Sequence, residues 1–220
     1  MTKQYFIPGL GANERVFEEL GDFGTEKIMI QWLKNDGDES LRVYSQRIID
    51  QYGITNSDII VGLSFGGLIA QQIAEILGTS YVILISSFIS KSQLRPMFTY
   101  GLKFRLHKLM PEMKATWISE IVANYLNSGT SKSRPLLTEM IEATDMKLMK
   151  WSIRKIYEQD EVIGNQTRKY NLIGKKDRIV STWLNDSTFE IEGGTHFMVY
   201  DHAEEVSEII KKILEIESNG

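Results

Sequence analysis

The chain alternates between two hydrophobic patterns. Short, nearly unbroken apolar runs are followed by longer stretches in which apolar residues recur at helical spacing. The runs predict strands over Gln4–Ile7, Lys27–Trp32, Asp58–Leu63, Tyr81–Ile85, Lys169–Ile173 and Thr188–Ile191. Three of them carry the segments IMI, IIVGL and YVILI, with no polar position to face water, as expected of strands covered on both faces. The longer stretches predict helices over Glu14–Leu20, Ser40–Tyr52, Phe65–Leu77 and His202–Ile216. In the last of these, Val206, Ile209, Ile210, Ile213 and Leu214 share one stripe. Strand and helix in alternation imply a mostly parallel sheet whose strands are joined by crossover helices.

One region breaks the alternation. Between Phe88 and Gly164 no strand pattern is evident, only helical patterns punctuated by Pro96, Pro111, Gly129 and Pro135. Helix starts are predicted near Ser92, Pro111 and Ser133. A helical block between two strands of a parallel sheet is a cap over the sheet or a helical subdomain. The expected organisation is therefore a core of residues 1–87 and 165–220 with an insertion at 88–164. A chain of 220 residues accommodates both in one unit.

Composition narrows the function classes. A net charge of −4 does not point to nucleic acid as a partner. The absence of cysteine excludes disulfides, thiolate chemistry and cysteine-ligated zinc, and fits a reducing compartment. No apolar stretch reaches the roughly 18 residues of a membrane span, and no signal-peptide pattern follows Met1. The expectation is a cytoplasmic protein without stable membrane association. One local bias stands out: from Lys91 to Lys108, Lys91, Arg95, Lys103, Arg105 and Lys108 occur with no acidic residue. Such a run is either a solvated helix face or an attractor for a carboxylate, a phosphate or an anionic membrane surface.

The strongest chemical signal is Gly62-Leu63-Ser64-Phe65-Gly66-Gly67, which joins a predicted strand directly to an apolar predicted helix. This G-x-S-x-G spacing, in the context of strand, sharp turn and helix, is that of a nucleophile elbow. Small residues flanking the serine let strand and helix approach, and the helix N-terminus places its positive dipole end near a developing oxyanion. Taken alone, the same glycines also suit a turn that binds a phosphate or merely turns.

Two downstream segments bear on that choice. Leu172-Ile173-Gly174-Lys175-Lys176-Asp177-Arg178-Ile179-Val180 places an aspartate just past a strand. Ile191-Glu192-Gly193-Gly194-Thr195-His196-Phe197 places a histidine past the last strand. Here the sequence strongly resembles the α/β-hydrolase superfamily, whose G-x-x-D and G-x-H-F segments carry an acid and a base, in the chain order serine, acid, histidine. The resemblance covers nearly the whole chain outside the helical block. It implies the α/β-hydrolase fold, with Ser64 as nucleophile, His196 as general base and Asp177 as the acid that orients the imidazole. His107, among Lys103, Arg105 and Lys108, reads as a solvated residue, and His202, beside Asp201, as a capping or surface residue. Asp186, in the polar turn before the last strand, is the competing acid. Histidine titrates near neutrality and can take the serine proton as the bond forms, and no metal or other cofactor is needed.

The resemblance also implies an oxyanion hole made by the backbone N–H groups of Phe65 and of Leu10 in the loop after the first strand. In that loop Pro8-Gly9 stands where the superfamily usually has His-Gly. A second expected departure is the lack of an edge hairpin before the first strand. The helical block corresponds to the lid of related enzymes, and Phe98, Trp117 and Trp151 are its candidate pocket residues. The leading expectation is hydrolysis of a small or medium carboxylic ester or thioester, a small-molecule substrate. The alternatives are a lyase or C–C bond hydrolase acting on an anionic substrate, and a ligand-binding sensor that retains the triad.

Overall fold

The computed structural model describes residues 2–96, 116–126, 133–159, 163, 166–181 and 187–219. Its strands are β1 (Gln4–Ile7), β2 (Lys27–Met29), β3 (Ile59–Leu63), β4 (Tyr81–Ile85), β5 (Arg168–Gly174) and β6 (Thr188–Ile191). They form one sheet in the order β2-β1-β3-β4-β5-β6, with every pair parallel. The described helices are α1 (Leu41–Tyr52), α2 (Phe65–Leu77), α3 (Thr116–Leu126), α4 (Arg134–Ala143), α5 (Met146–Glu158), α6 (Met198–Asp201) and α7 (Ala203–Ser218). This is an α/β-hydrolase fold whose sheet contains no antiparallel strand among the described residues.

The apolar runs work because both faces of the sheet are covered. Along β3 and β4, Ile60, Val82 and Leu84 face the side packed with Ile48, Leu68 and Ile73 of α1 and α2. Their neighbours Val61, Leu63, Ile83 and Ile85 face the opposite side, with Val206, Ile210 and Ile213 of α7. A period of two thus serves two cores at once. Ser40 caps α1 by accepting from the Val43 N–H at 3.2 Å, and Gly53 ends it in the left-handed conformation.

Two predicted elements come out shorter. Strand β2 ends at Met29 because side chains take over its backbone groups. Ile30 N–H still donates to Phe6 O, but Gln31 N–H donates to the Tyr52 hydroxyl and Leu33 N–H to the Tyr44 hydroxyl. The predicted helix over Glu14–Leu20 is a single 3-10 turn, Glu14–Phe17, capped by Asn13 and pinned by the buried Val16 and Phe17. The helix predicted over His202–Ile216 is observed as α7, and His202, whose φ of −122° lies outside the helical region, separates it from the short α6. The start predicted near Ser92 is a short 3-10 turn, Lys91–Gln93, capped by Ser90. The Ser133 start is observed with a proline in the first turn of α4, while the Pro111 start lies outside the described residues.

The topology leaves a crevice. From β1 the chain moves outward to β2, whereas β3 to β6 extend the sheet the other way. The loops after β1 and β3 therefore diverge at the carboxyl ends of adjacent strands, where ligands bind in open α/β sheets. The helices between β4 and β5 lie against this end. The Met140 sulfur of α4 accepts from Asn13 N–H, and Arg15 pairs with Glu139 at 2.8 Å. Tyr125 of α3 donates from its hydroxyl to Arg178 O at 3.2 Å.

Trp151 of α5, expected on a pocket wall, is 3% exposed. Its ring lies 4.7 Å from that of Tyr44 and 5.9 Å from that of Phe65, and its Nε1–H donates to Glu39 O at 3.0 Å. It anchors α5 to the core beside the elbow. Burial pushes the Tyr44 hydroxyl above the usual phenol range, so it stays a neutral donor to Leu33 O. Trp151→Ala should lower unfolding free energy by about 3–5 kcal/mol in urea titrations, and Trp151→Phe by clearly less.

Candidate active site

Ser64 occupies the turn between β3 and α2 with φ 50° and ψ −118°, a region that non-glycine residues rarely enter. The flanking glycines make the turn possible. A Cβ on Gly62 would sit 2.5 Å from Gly66 O, one on Gly66 would sit 2.3 Å from Pro8 O, and one on Gly67 would sit 2.2 Å from Ser87 Oγ. No side chain fits at those distances. Ser64 N–H donates to Ile85 O at 2.9 Å, while its carbonyl accepts from the Ser87 hydroxyl at 2.8 Å and from Gly67 N–H at 2.9 Å. Although serine is a favoured N-cap residue, this one makes no side-chain cap to α2. Its hydroxyl is turned to a histidine instead.

That histidine is His196. Its Nε2 lies 2.8 Å from Ser64 Oγ, and its Nδ1 lies 2.8 Å from Asp177 Oδ2. An ionised carboxylate only accepts, so Nδ1 carries the proton and Nε2 of the neutral ring faces the serine hydroxyl as acceptor. The Asp177 side chain is fully buried. Its second oxygen, Oδ1, accepts from Ile179 N–H at 2.7 Å and Val180 N–H at 2.9 Å. A buried carboxylate without such partners would be costly; here both oxygens are satisfied.

Two glycines bring the acid and base loops together. A Cβ on Gly174 would lie 2.2 Å from Gly194 O, and Lys176 N–H donates to that same oxygen at 2.8 Å. The acid loop is also tied to the segment after β4. Arg95 N–H donates to Ile179 O at 2.8 Å, Ser181 N–H to Gln93 O at 2.7 Å, and Arg95 Nε–H to Asp177 O at 2.7 Å.

The loop after β1 passes directly by the serine, since a Cβ on Gly9 would sit 3.2 Å from Ser64 Cβ. Ala12 N–H closes a turn onto Gly9 O at 3.0 Å, and the Trp32 indole N–H holds Ala12 O at 3.1 Å. Among the described residues, neither Leu10 nor Phe65 N–H has a protein acceptor. Ile141 of α4 and Met149 of α5 close over the same loop at Gly11. A hydroxyl hydrogen-bonded to an imidazole that a buried carboxylate holds is an arrangement able to attack a carbonyl carbon.

The alpha/beta hydrolase family model matches residues 5–209. The chain belongs to the alpha/beta hydrolase family. No curated protein matches it in sequence. Among solved structures, this family member is similar in fold to a hydrolase from Oleispira antarctica, at 12% identity and a TM-score of 0.75, covering 98% of this chain and 91% of that one. It is similar to an esterase from Exiguobacterium antarcticum at 15% identity and a TM-score of 0.70, covering 98% and 92%. It is also similar to a thermophilic esterase from Thermogutta terrifontis at 13% identity and a TM-score of 0.75, covering 98% and 90%.

Of the residues picked out from this hydrolase's sequence, Ser64, Asp177 and His196 are brought into one hydrogen-bonded chain. His202 sits apart, at the joint of α6 and α7, with Nδ1 3.8 Å from Glu205. Phe98, His107, Asp186 and the side chain of Trp117 lie outside the described residues. No helix among the described residues is long and apolar enough to cross a membrane, and no cluster of three or more His, Asp or Glu there could hold a metal. Ser87 and Trp32 escaped the sequence reading. The only local hint at the first was a pair of serines closing the apolar run YVILI.

Gly66→Ala should destabilise the fold by at least about 3 kcal/mol or prevent folding, because Pro8 O cannot move far enough. Gly21→Ala, whose new Cβ would meet only Ser207 at 3.6 Å, should melt within a few degrees of the parent. Ser87→Ala should cost about 1 kcal/mol in denaturant titrations and slow covalent modification of Ser64 several-fold, since the elbow carbonyl loses a donor.

Proposed function

We propose that this protein is a serine hydrolase that cleaves a small or medium carboxylic ester or thioester through an acyl-enzyme. The observation that carries the reading is the unbroken chain from Ser64 Oγ through His196 to the buried Asp177 carboxylate, with 2.8 Å at each link. The elbow geometry and the esterases among its structural neighbours support it.

In this mechanism Ser64 Oγ attacks the acyl carbonyl as His196 Nε2 takes its proton. Asp177 holds the imidazole tautomer and stabilises the imidazolium. The N–H groups of Phe65 and Leu10 bind the oxyanion, aided by the positive end of α2. The imidazolium then protonates the leaving alcohol or thiol, and the acyl group remains on Ser64. A water molecule, deprotonated by His196, attacks the acyl-enzyme; the imidazolium returns that proton to Ser64 Oγ as the acyl–oxygen bond breaks, and the carboxylic acid leaves. Residues 88–164 act as a cap that sets substrate choice, a role supported by the packing of Met140, Ile141 and Met149 on the Gly11–Asn13 loop. The reaction needs no cofactor and suits a cytoplasmic enzyme.

A fluorophosphonate probe should label Ser64, located by peptide mass spectrometry, and Ser64→Ala should abolish labelling. Hydrolysis of p-nitrophenyl acyl esters should fall by several orders of magnitude in His196→Ala, because the three residues act as a unit. Asp177→Asn should fold and yet lose on the order of 10⁴-fold, while His202→Ala and Asp186→Asn stay within roughly tenfold of the parent. Labelling at another serine, or none on folded protein, would refute the assignment of the nucleophile.

A further inference from the structure

The acid loop has an outer side that the proposed chemistry does not use. There an open groove of about 550 Å³ is lined by Arg95, Pro96, Tyr125, Lys175, Lys176, Arg178 and the Asp177 backbone. Its volume lies within the range of small-molecule sites, and it runs along the seam between α3 and the core.

Four cations line this groove in a chain whose net charge is −4. One of them is neutralised, since Lys175 Nζ lies 2.7 Å from Glu192 and 3.9 Å from Glu190. The other three have no carboxylate partner among the described residues. Asp177 does not supply one, because Oδ2 is committed to His196 and Oδ1 to two backbone N–H groups. Arg95 spends Nε on Asp177 O, which aims the guanidinium and leaves its two terminal amino groups without a carboxylate. Arg178 is held over the Tyr125 ring, 6.0 Å from its centroid, while the Tyr125 hydroxyl donates to Arg178 O. Arg95 is thus positioned by a bond to the protein, while Arg178, though exposed, lies against an aromatic ring.

We infer that this groove binds a small molecule through a phosphate or pyrophosphate group. Three uncompensated cations call for a ligand of more than one negative charge, and a phosphate dianion offers three acceptor oxygens where a carboxylate offers two. Guanidinium forks match that geometry. The volume leaves room for an organic portion, and the negative charge of the rest of the chain favours a compact anion over a polymer. The site does not depend on the hydrolase reading, and binding alone tests it.

Isothermal titration of the full chain with inorganic pyrophosphate at low ionic strength should show one saturable site. Lys176→Ala/Arg178→Ala should weaken binding by at least roughly tenfold, the loss expected for charge-assisted hydrogen bonds. Lys34→Ala/Lys211→Ala removes the same net charge from exposed positions elsewhere and should stay within about twofold. The single variant Lys176→Glu, at an exposed side chain, should weaken binding further than Lys176→Ala. Citrate should bind more weakly than pyrophosphate. Absence of saturable binding, equal losses in both double variants, or citrate binding as tightly as pyrophosphate would each overturn the proposal.

Discussion

Ser64 holds a backbone conformation that costs about 1–3 kcal/mol, and the site depends on the contacts that keep it there. Its N–H and C=O are both bonded across to the end of β4, to Ile85 and Ser87. Beneath the turn, Gly62, Gly66 and Gly67 let β3, α2 and the loop after β1 approach within distances that admit no Cβ. The same packing turns the Ser64 hydroxyl toward His196 and away from the helix it would otherwise cap. Strain and hydroxyl direction are therefore consequences of one packing arrangement.

A second close approach sets the other half of the site. Gly174 and Gly194 meet at the ends of β5 and β6, so the loops carrying Asp177 and His196 share a backbone hydrogen bond. Burial of Asp177 is tolerable because its oxygens meet three donors, and that saturation holds the imidazole in one tautomer. Arg95 extends the network outward by gripping the carbonyl of Asp177 from the segment after β4. Fold and family make the chain a hydrolase scaffold. That scaffold is shared by many chemistries, so substrate choice is carried by side chains and not by the sheet.

Much of this architecture was legible in the sequence because it rests on local rules. Apolar runs of strand length, helical stripes and glycines around a single serine each express constraints among neighbouring residues. Ser64 could be picked out from the glycines spaced around it between a strand and a helix, and Asp177 and His196 from the resemblance of their strand-end segments to those of the α/β-hydrolase superfamily.

What tertiary structure alone decided involves partners far apart in sequence. Strand β2 stops short because hydroxyls of Tyr44 and Tyr52, carried on α1, take its backbone groups. Trp151 became a core anchor because Tyr44 and Phe65 enclose it, although its sequence neighbourhood suited a pocket wall equally well. Ser87 and Trp32 matter only because the sheet brings them to Ser64 and to the loop after β1. The groove's lining joins Arg95 to the acid loop, more than 80 residues away, through a hydrogen bond. Sequence determines which local conformations are cheap. The summed packing of the whole sheet determines which distant groups then stand within 3 Å of one another.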